Sequence, residues 1–321
     1  MLARSRIPLG HPWSLGVKDK TRRADVFSKN RIAIFKTDDG KYHGVEDMCS
    51  HRGARLSTGK VKDGCLQCPY HGWLFDKDGK LVSVPTGATP QKADITKYNI
   101  EEHNDFLWWA DENANIPDCE EFNDPEWSKI TGTIDLHGNW LDWVANATDI
   151  SHINYVHDFA DETNGSVDDF EIHDKGDSMV CTAYVRPKAA HPLTRHMQIP
   201  KSPIVSEFFF PNTTVIKIKL KNPYEFITYT TLTPINFFET RMTWCFAHNI
   251  NLGDPMLMKM LNNHFRFQME KTIREDESII FELPTEFVPR ANVQCDMYQV
   301  KVLEKINKMV EDNGQNLFIT M

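Results

Sequence analysis

The chain has 321 residues, 40% of them hydrophobic and 25% charged, with a formal net charge of −9 at pH 7. That length suits two ordinary domains, the acidic balance argues against a nucleic-acid surface, and no apolar run approaches the roughly 20 residues of a membrane helix. The count of 7 cysteines is odd and too low for a disulfide scaffold, so Cys119, Cys181, Cys245 and Cys295 read as free structural thiols in a reducing compartment.

At the N-terminus, MLARSRIPLGHPW holds arginines but no apolar core and no small-residue cleavage site, so it does not read as a secretory signal. It is also too short and proline-broken for an intact transit peptide. From residue 30 to residue 110, RIAIFKT, KYHGVED, CLQCPYHGW, LFDKDGKLVSVP and DFLWWADE are strand-like, with turns at DDG, KDG and DKDG. This pattern predicts a small antiparallel β domain. The polar, proline-containing stretch ADENANIPDCEEFNDPEW, residues 110–127, reads as an interdomain connection.

Within the β domain, Cys49-x-His51 and Cys68-x-x-His71 put one thiolate and one imidazole in each of two short loops. Matched pairs suit a two-iron cluster with two thiolates on one iron and two neutral imidazoles on the other. Such a cluster is less negative than one held by four thiolates and takes up an electron at roughly −150 to +300 mV, against about −400 mV. A zinc site using Cys65 and Cys68 is the alternative, although Cys49-x-His51 is tighter than a usual zinc knuckle. The four positions, followed by Gly72 and Trp73, resemble the Rieske iron–sulfur motif, in which Cys65 has no ligand position and is a strand residue.

Beyond residue 138, Trp140, Val144, Ala147 and Ile150 follow helical spacing, so GNWLDWVANATDISHINYVH predicts a helix that frays or bends near its end. It carries Asn146-x-x-Asp149-x-x-His152-x-x-x-x-His157. Two imidazoles with a carboxylate from elsewhere make the facial triad of a non-haem iron(II), which leaves positions open for dioxygen and substrate. On an ideal helix His152 and His157 lie about 140° apart, so the helix is expected to unwind or bulge between them. Taken singly, both histidines would read as core residues.

Residues 168–250 hold further strand-like segments, SMVCTAYV, SEFFFP, TVIKIKL, FITYTTLTP and RMTWCFAHN, and DPMLMKMLNNHFRFQMEKTIREDESIIFELP predicts a long helix. Phe208, Phe209, Phe210, Phe226, Tyr229, Trp244 and Phe246 make this half aromatic. They read either as core or, with the loop after His157, as the wall of a pocket for a flat or bulky apolar substrate. His248 and Asn249 are candidate polar contacts there. In the long helix the apolar face runs through Met269, Ile273, Ile280 and Leu283 with Asp276 in its midst, while Glu275 and Glu277 are turned about 100° to either side. Burying Asp276 unpaired would cost several kcal/mol, so it is the expected third iron ligand, with a buried salt bridge or cap as the alternative.

Both halves together resemble the catalytic subunits of Rieske non-haem iron oxygenases over nearly the whole chain. Within that family they look most like the single-subunit-type monooxygenases, which are vanillate demethylase-like, chlorophyllide a oxygenase-like or pheophorbide a oxygenase-like. The resemblance implies an α+β chain with an N-terminal antiparallel β Rieske domain (1–115) and a helix-grip-like catalytic domain (116–321) of antiparallel sheet and helices. It further implies a Rieske 2Fe–2S cluster on Cys49, His51, Cys68 and His71, and a mononuclear Fe(II) on His152, His157 and Asp276. In the implied homotrimer Asp149 links His71 of one subunit to His152 of the next, and Asp149 or Asn146 takes part in proton delivery. No Gly-rich dinucleotide fingerprint follows a strand, so electrons are expected from an external NAD(P)H-dependent reductase or a ferredoxin. The expected reaction uses O2 to hydroxylate, dealkylate or otherwise oxidise a small aromatic or bulky apolar molecule, a tetrapyrrole being one candidate. An electron-transfer or structural subunit with a vestigial iron site is the alternative. The expected compartment is the cytoplasm, or the plastid stroma in a photosynthetic eukaryote.

Overall fold

The computed structural model describes residues 6–12, 22–26, 30–87, 90, 92–110, 116–157, 167–185, 199, 201–284 and 290–312. The chain divides into two units, Met1–Asp118 and Cys119–Met321. The division falls slightly later than residue 115 because Asn104 Nδ2 donates to the Pro117 carbonyl (3.0 Å) and ties that residue to the first unit. Among the described residues no helix is long and apolar enough to cross a membrane.

The first unit consists of short strands: β1 (Arg6–Gly10), β2 (Arg22–Val26), β3 (Asn30–Lys36), β4 (Tyr42–Glu46), β5 (Lys60–Lys62) and β6 (Cys65–Gln67), then β7 (Leu74–Phe75), β8 (Leu81–Ser83), β9 (Lys97–Tyr98), β10 (Ile100–His103) and β11 (Phe106–Ala110). They form three antiparallel sheets, ordered β1-β11-β10, β2-β3-β4-β9 and β5-β6-β7-β8. RIAIF reads as a continuous apolar run because β3 is buried on both faces: Ile32 and Ile34 join one core, Ala33 and Phe35 the other. Strands β1, β2, β9 and β10 escape the sequence reading because they are short and broken by proline or charge.

The second unit runs β12 (Ser128–His137), α1 (Trp140–Thr148), α2 (Ile153–Val156), β13 (Asp168–Asp174), β14 (Ser178–Val185), β15 (Ser202–Phe209), β16 (Thr213–Lys219), β17 (Glu225–Asn236), β18 (Glu239–His248), α3 (Pro255–Glu282) and α4 (Met297–Asp312). Its strands make one seven-stranded sheet in the order β12-β18-β17-β16-β15-β14-β13. The helices bury one face of it around Trp140, Val144, Trp244, Phe246, Phe265 and Tyr298. The opposite face is closed by the segment after Cys119, whose Phe122 packs on Tyr229 (5.7 Å between centroids) and whose Glu121 pairs with Lys217. The aromatics therefore divide: Phe208, Phe210, Trp244 and Phe246 are core on the helix side, and Tyr229 is buried on the other.

Three elements of this unit lie outside the sequence expectation. β12 hides its alternation because one inward position between Ile130 and Ile134 is Gly132. Helix α4 buries Tyr298, Val302 and Ile306, one per turn, against the sheet. Strand β13 is polar and lies at the sheet edge. The long helix is present, but its apolar face ends earlier than expected. Leu283 lies one residue past its end and is 54% exposed.

Gly132 is required by the indole beside it. A Cβ there would lie 2.2 Å from Cζ2 of Trp244. Gly132→Ala is accordingly expected to destabilise the second unit by about 1–3 kcal/mol through overpacking, read as a lowered midpoint for its transition in thermal denaturation.

Candidate metal centres

In the first unit two loops of one design face each other. The Cys49 carbonyl accepts from Gly53 N (2.9 Å) and Cys49 N donates to Ala54 O (2.9 Å). In the same way, the Cys68 carbonyl accepts from Gly72 N (3.0 Å) and Cys68 N donates to Trp73 O (2.8 Å). Each turn closes on a glycine at positive φ, 71° at Gly53 and 72° at Gly72, where other residues are strained. Buried Asp47 braces the first loop by accepting from Ser57 N (2.6 Å) and Ser57 Oγ (2.7 Å).

The result is a closely gathered set of donors. Cys49 and Cys68 are buried free thiols. Burial, with Cys68 hydrogen-bonded beside it, pushes the Cys49 thiol up to about 11. Such a thiol stays protonated near neutral pH unless a metal binds the sulfur and the proton is released to solvent. The His51 and His71 rings lie 4.6 Å apart, and His51 stacks flat on Trp73 (4.5 Å, 1°). Its Nδ1 is buried with no hydrogen-bond partner among the described residues, as suits a nitrogen reserved for a metal. The two imidazoles are unequal: His51 is half-buried under Trp73, whereas His71 is exposed, with the Tyr70 ring against it (3.8 Å). Cys65 lies on β6 as a strand residue.

In the second unit the expected irregularity is found at a different place. The helix stops at Thr148, Asp149 takes an extended conformation, and a four-residue helix, α2, restarts after His152. Asp149 Oδ1 shapes the turn between the two helices by accepting from Ser151 N (2.8 Å), Ser151 Oγ (2.7 Å) and His152 N (3.3 Å). His152 and His157 thus flank an intact turn, and it is the extended backbone at His157 (φ −105°, ψ 135°) that swings its ring round to meet His152. The expected bulge between them is replaced by this helix end.

These rings meet Asp276 from α3. His152 Nε2 and His157 Nε2 are each 3.4 Å from Asp276 Oδ1, and one donor atom from each of the three residues lies within 4.8 Å of the others. Asp276 is buried, and Asn146 Nδ2 donates to its Oδ1 (3.2 Å). Burial lowers the His152 pKa, but Asp276 and then Asp149 outweigh it and raise the value. Two imidazoles and one carboxylate converging on a buried point suit a divalent metal with open coordination positions.

Glu275 is the site residue that the helical wheel put aside. Its Oε2 accepts from His157 Nδ1 (3.0 Å), and Lys271 holds its other oxygen (3.4 Å). The signal was its place directly before Asp276, on the flank that His157 approaches. By fixing the His157 tautomer, Glu275 makes Nε2 the free donor. Glu275→Ala is expected to weaken metal binding about 10–100-fold, measured by competition with a chromogenic chelator.

Other candidates prove structural. His248 accepts from Ile250 N at Nδ1 (3.2 Å) and donates from Nε2 to Asn262 Oδ1 (2.8 Å). Asn249 closes the strand end by accepting from Glu225 N (2.9 Å) and donating to Pro223 O (2.7 Å). The loop after His157 lies outside the described residues.

Comparison with known proteins agrees with both halves. Residues 6–99 match the Rieske [2Fe-2S] domain and residues 136–312 match the vanillate O-demethylase oxygenase C-terminal domain. The chloroplastic protein TIC 55 of Pisum sativum is 32% identical over 161 residues, 47% of this chain and 28% of that protein. The vanillate O-demethylase oxygenase subunit of Pseudomonas sp. (strain HR199 / DSM 7063) is 30% identical over 173 residues, 51% of this chain and 49% of that one. The match thus spans about half or less of the length of these curated relatives. The crystal structure of dicamba monooxygenase bound to 3,6-dichlorosalicylic acid superposes with a TM-score of 0.85 at 21% identity, covering 98% of this chain and 99% of that one, and so shares the fold. With a Rieske domain followed by a vanillate O-demethylase-type C-terminal domain over more than half its length, the chain belongs to the Rieske oxygenase family.

Proposed function

We propose that the chain is the oxygenase component of a Rieske-type monooxygenase system. It works as a homotrimer and takes electrons from an external NAD(P)H-dependent reductase or a ferredoxin. It uses O2 to hydroxylate, dealkylate or otherwise oxidise a small aromatic or bulky apolar molecule. The observation that carries this reading is the meeting of His152, His157 and Asp276 at one buried point in a chain that also has a Rieske domain. Cys49, Cys68, His51 and His71 would hold the 2Fe–2S cluster, and the triad would hold one Fe(II), which activates dioxygen when electrons reach it.

The chain's own residues have distinct tasks in this reading. Glu275 and Asp149 stand behind the two triad imidazoles and orient them, and Asn146 holds the Asp276 carboxylate. Asp149 spends Oδ1 on the α2 turn, so Oδ2, 3.8 Å from His152 Nδ1, is the oxygen left to accept a proton. In the trimer implied by family resemblance, that carboxylate would also receive the N–H of exposed His71 from a neighbouring subunit. The proposed compartment is the cytoplasm, or the plastid stroma in a photosynthetic source.

Iron quantitation with EPR of the reduced protein tests the reading. The expected count is about three irons per chain, two in the cluster and one at the triad, with oxygen uptake that depends on reductase and substrate. A count of about two without oxygen uptake would make the chain an electron carrier.

A further inference from the structure

A sheet face covered by helices is expected to be dry throughout. On this one, Ser206, Phe208, Trp244 and Phe246 of the flanking strands are buried, but among the described residues the centre keeps accessible surface, as an opening in the packing would leave. Ile216 and Ile218 of β16 and Phe226, Thr228 and Thr230 of β17 are each only partly buried on that face. Helix α1 packs on the same strand, β17, and carries the Asn146 that holds Asp276.

The floor of this opening is polar in one place. Register sets Thr230 between Thr214 and Trp244, and Thr228 between Ile216 and Phe246. Directly paired side chains stand about 5 Å apart and same-face neighbours along a strand about 7 Å apart, so the three threonines form one patch in an otherwise apolar wall. The Thr214 side chain is 1% exposed, and its hydroxyl has no hydrogen-bond partner among the described residues. An unpaired buried hydroxyl weakens the fold, and a ligand that completes it gives the residue a use.

The nearby basic groups among the described residues are engaged elsewhere. Burial lowers the His248 pKa, and both of its ring nitrogens are bonded. Lys217 is on the opposite face with Glu121, and Arg266 donates to Thr131 O (2.8 Å).

We propose that Thr214, Thr228 and Thr230 are specificity-determining residues that hold an uncharged oxygen, a hydroxyl, carbonyl or ether, of an otherwise apolar ring-shaped substrate. This rests on the oxygenase reading and names the substrate class of the same site. The hydroxyls are donors and acceptors without charge, so they suit a neutral group and give a carboxylate no counter-ion.

The test is calorimetric binding to the metal-loaded, unreduced protein of two probes that differ by one carboxylate, guaiacol and vanillate. Guaiacol should bind at least about tenfold more tightly, and Thr214→Val and Thr230→Val should each weaken its binding about 3–10-fold. Thr214→Val should also raise the thermal midpoint of the ligand-free protein by about 2–4 °C, because it removes the unpaired hydroxyl. Thr213→Val, whose unpaired hydroxyl is on the opposite face, should leave guaiacol binding unchanged. Equal or tighter binding of vanillate, unchanged guaiacol binding in both valine variants, a lowered midpoint for Thr214→Val, or no binding of either probe at millimolar concentration would overturn the proposal. No electron donor is present, so these outcomes are separate from failure of the oxygenase reading, which would show as about two irons per chain and no oxygen uptake.

Discussion

Asp276→Ala is expected to reduce substrate-dependent oxygen uptake by more than about 100-fold, beyond what loss of a ligand's hydrogen-bond partner costs. The iron content should fall from about three to about two per chain, while the visible and EPR signals of the cluster stay as they were. Asp276 Oδ1 is the anionic oxygen that faces both Nε2 atoms at 3.4 Å. Without it, a divalent ion would have to be held by two neutral imidazoles alone. Three irons and normal turnover in the variant would remove Asp276 from the site.

The second large effect is expected at Asp149, where the structure changes which substitution is informative. Asp149→Ala removes two things together: the carboxylate behind His152 and the acceptor that shapes the turn before α2. Loss of these turn hydrogen bonds alone costs about 1 kcal/mol and would loosen His152. Asp149→Asn keeps an oxygen for Ser151 and replaces the other with an amide that cannot take a proton. Turnover in the asparagine variant should fall about 10–100-fold with both metal centres loaded and the thermal midpoint unchanged. In the alanine variant the midpoint should fall as well. Rapid-freeze EPR should show the reduced cluster accumulating in the asparagine variant while the triad iron waits for its electron. Unimpaired reoxidation of the cluster would exclude Asp149 from the path.

Much of the site could be read before any fold was known, because its chemistry is written in tight spacings. Cys49-x-His51 and Cys68-x-x-His71 each sit in one short turn, so neighbours in sequence are neighbours in space. Asp276 was conspicuous because a carboxylate on an apolar helical face needs a partner. Glu275 was not, since its value depends on where His157 arrives, 118 residues away along the chain.

The helix irregularity shows the same division. Ideal geometry required a break for His152 and His157 to converge, but only the structure puts one at Asp149 and the other at His157 itself. Both depend on competition between backbone and side-chain hydrogen bonds, which spacing alone does not resolve. β12 was missed for a related reason: its inward row includes Gly132, and a glycine there makes sense only once Trp244 of the neighbouring strand lies over it.

By itself the sequence determined the α+β plan and singled out the candidate ligand residues: the two Cys–His pairs of a β domain, and a histidine pair at the end of a helical stretch. Each of these rests on local periodicity or short spacing. Tertiary structure alone decided that His248 and Asn249 are structural and that Glu275 backs His157. It also decided that Thr214, Thr228 and Thr230 share one face of the sheet. Those assignments depend on strand register and on which faces the helices leave open, long-range properties that no local window of residues contains.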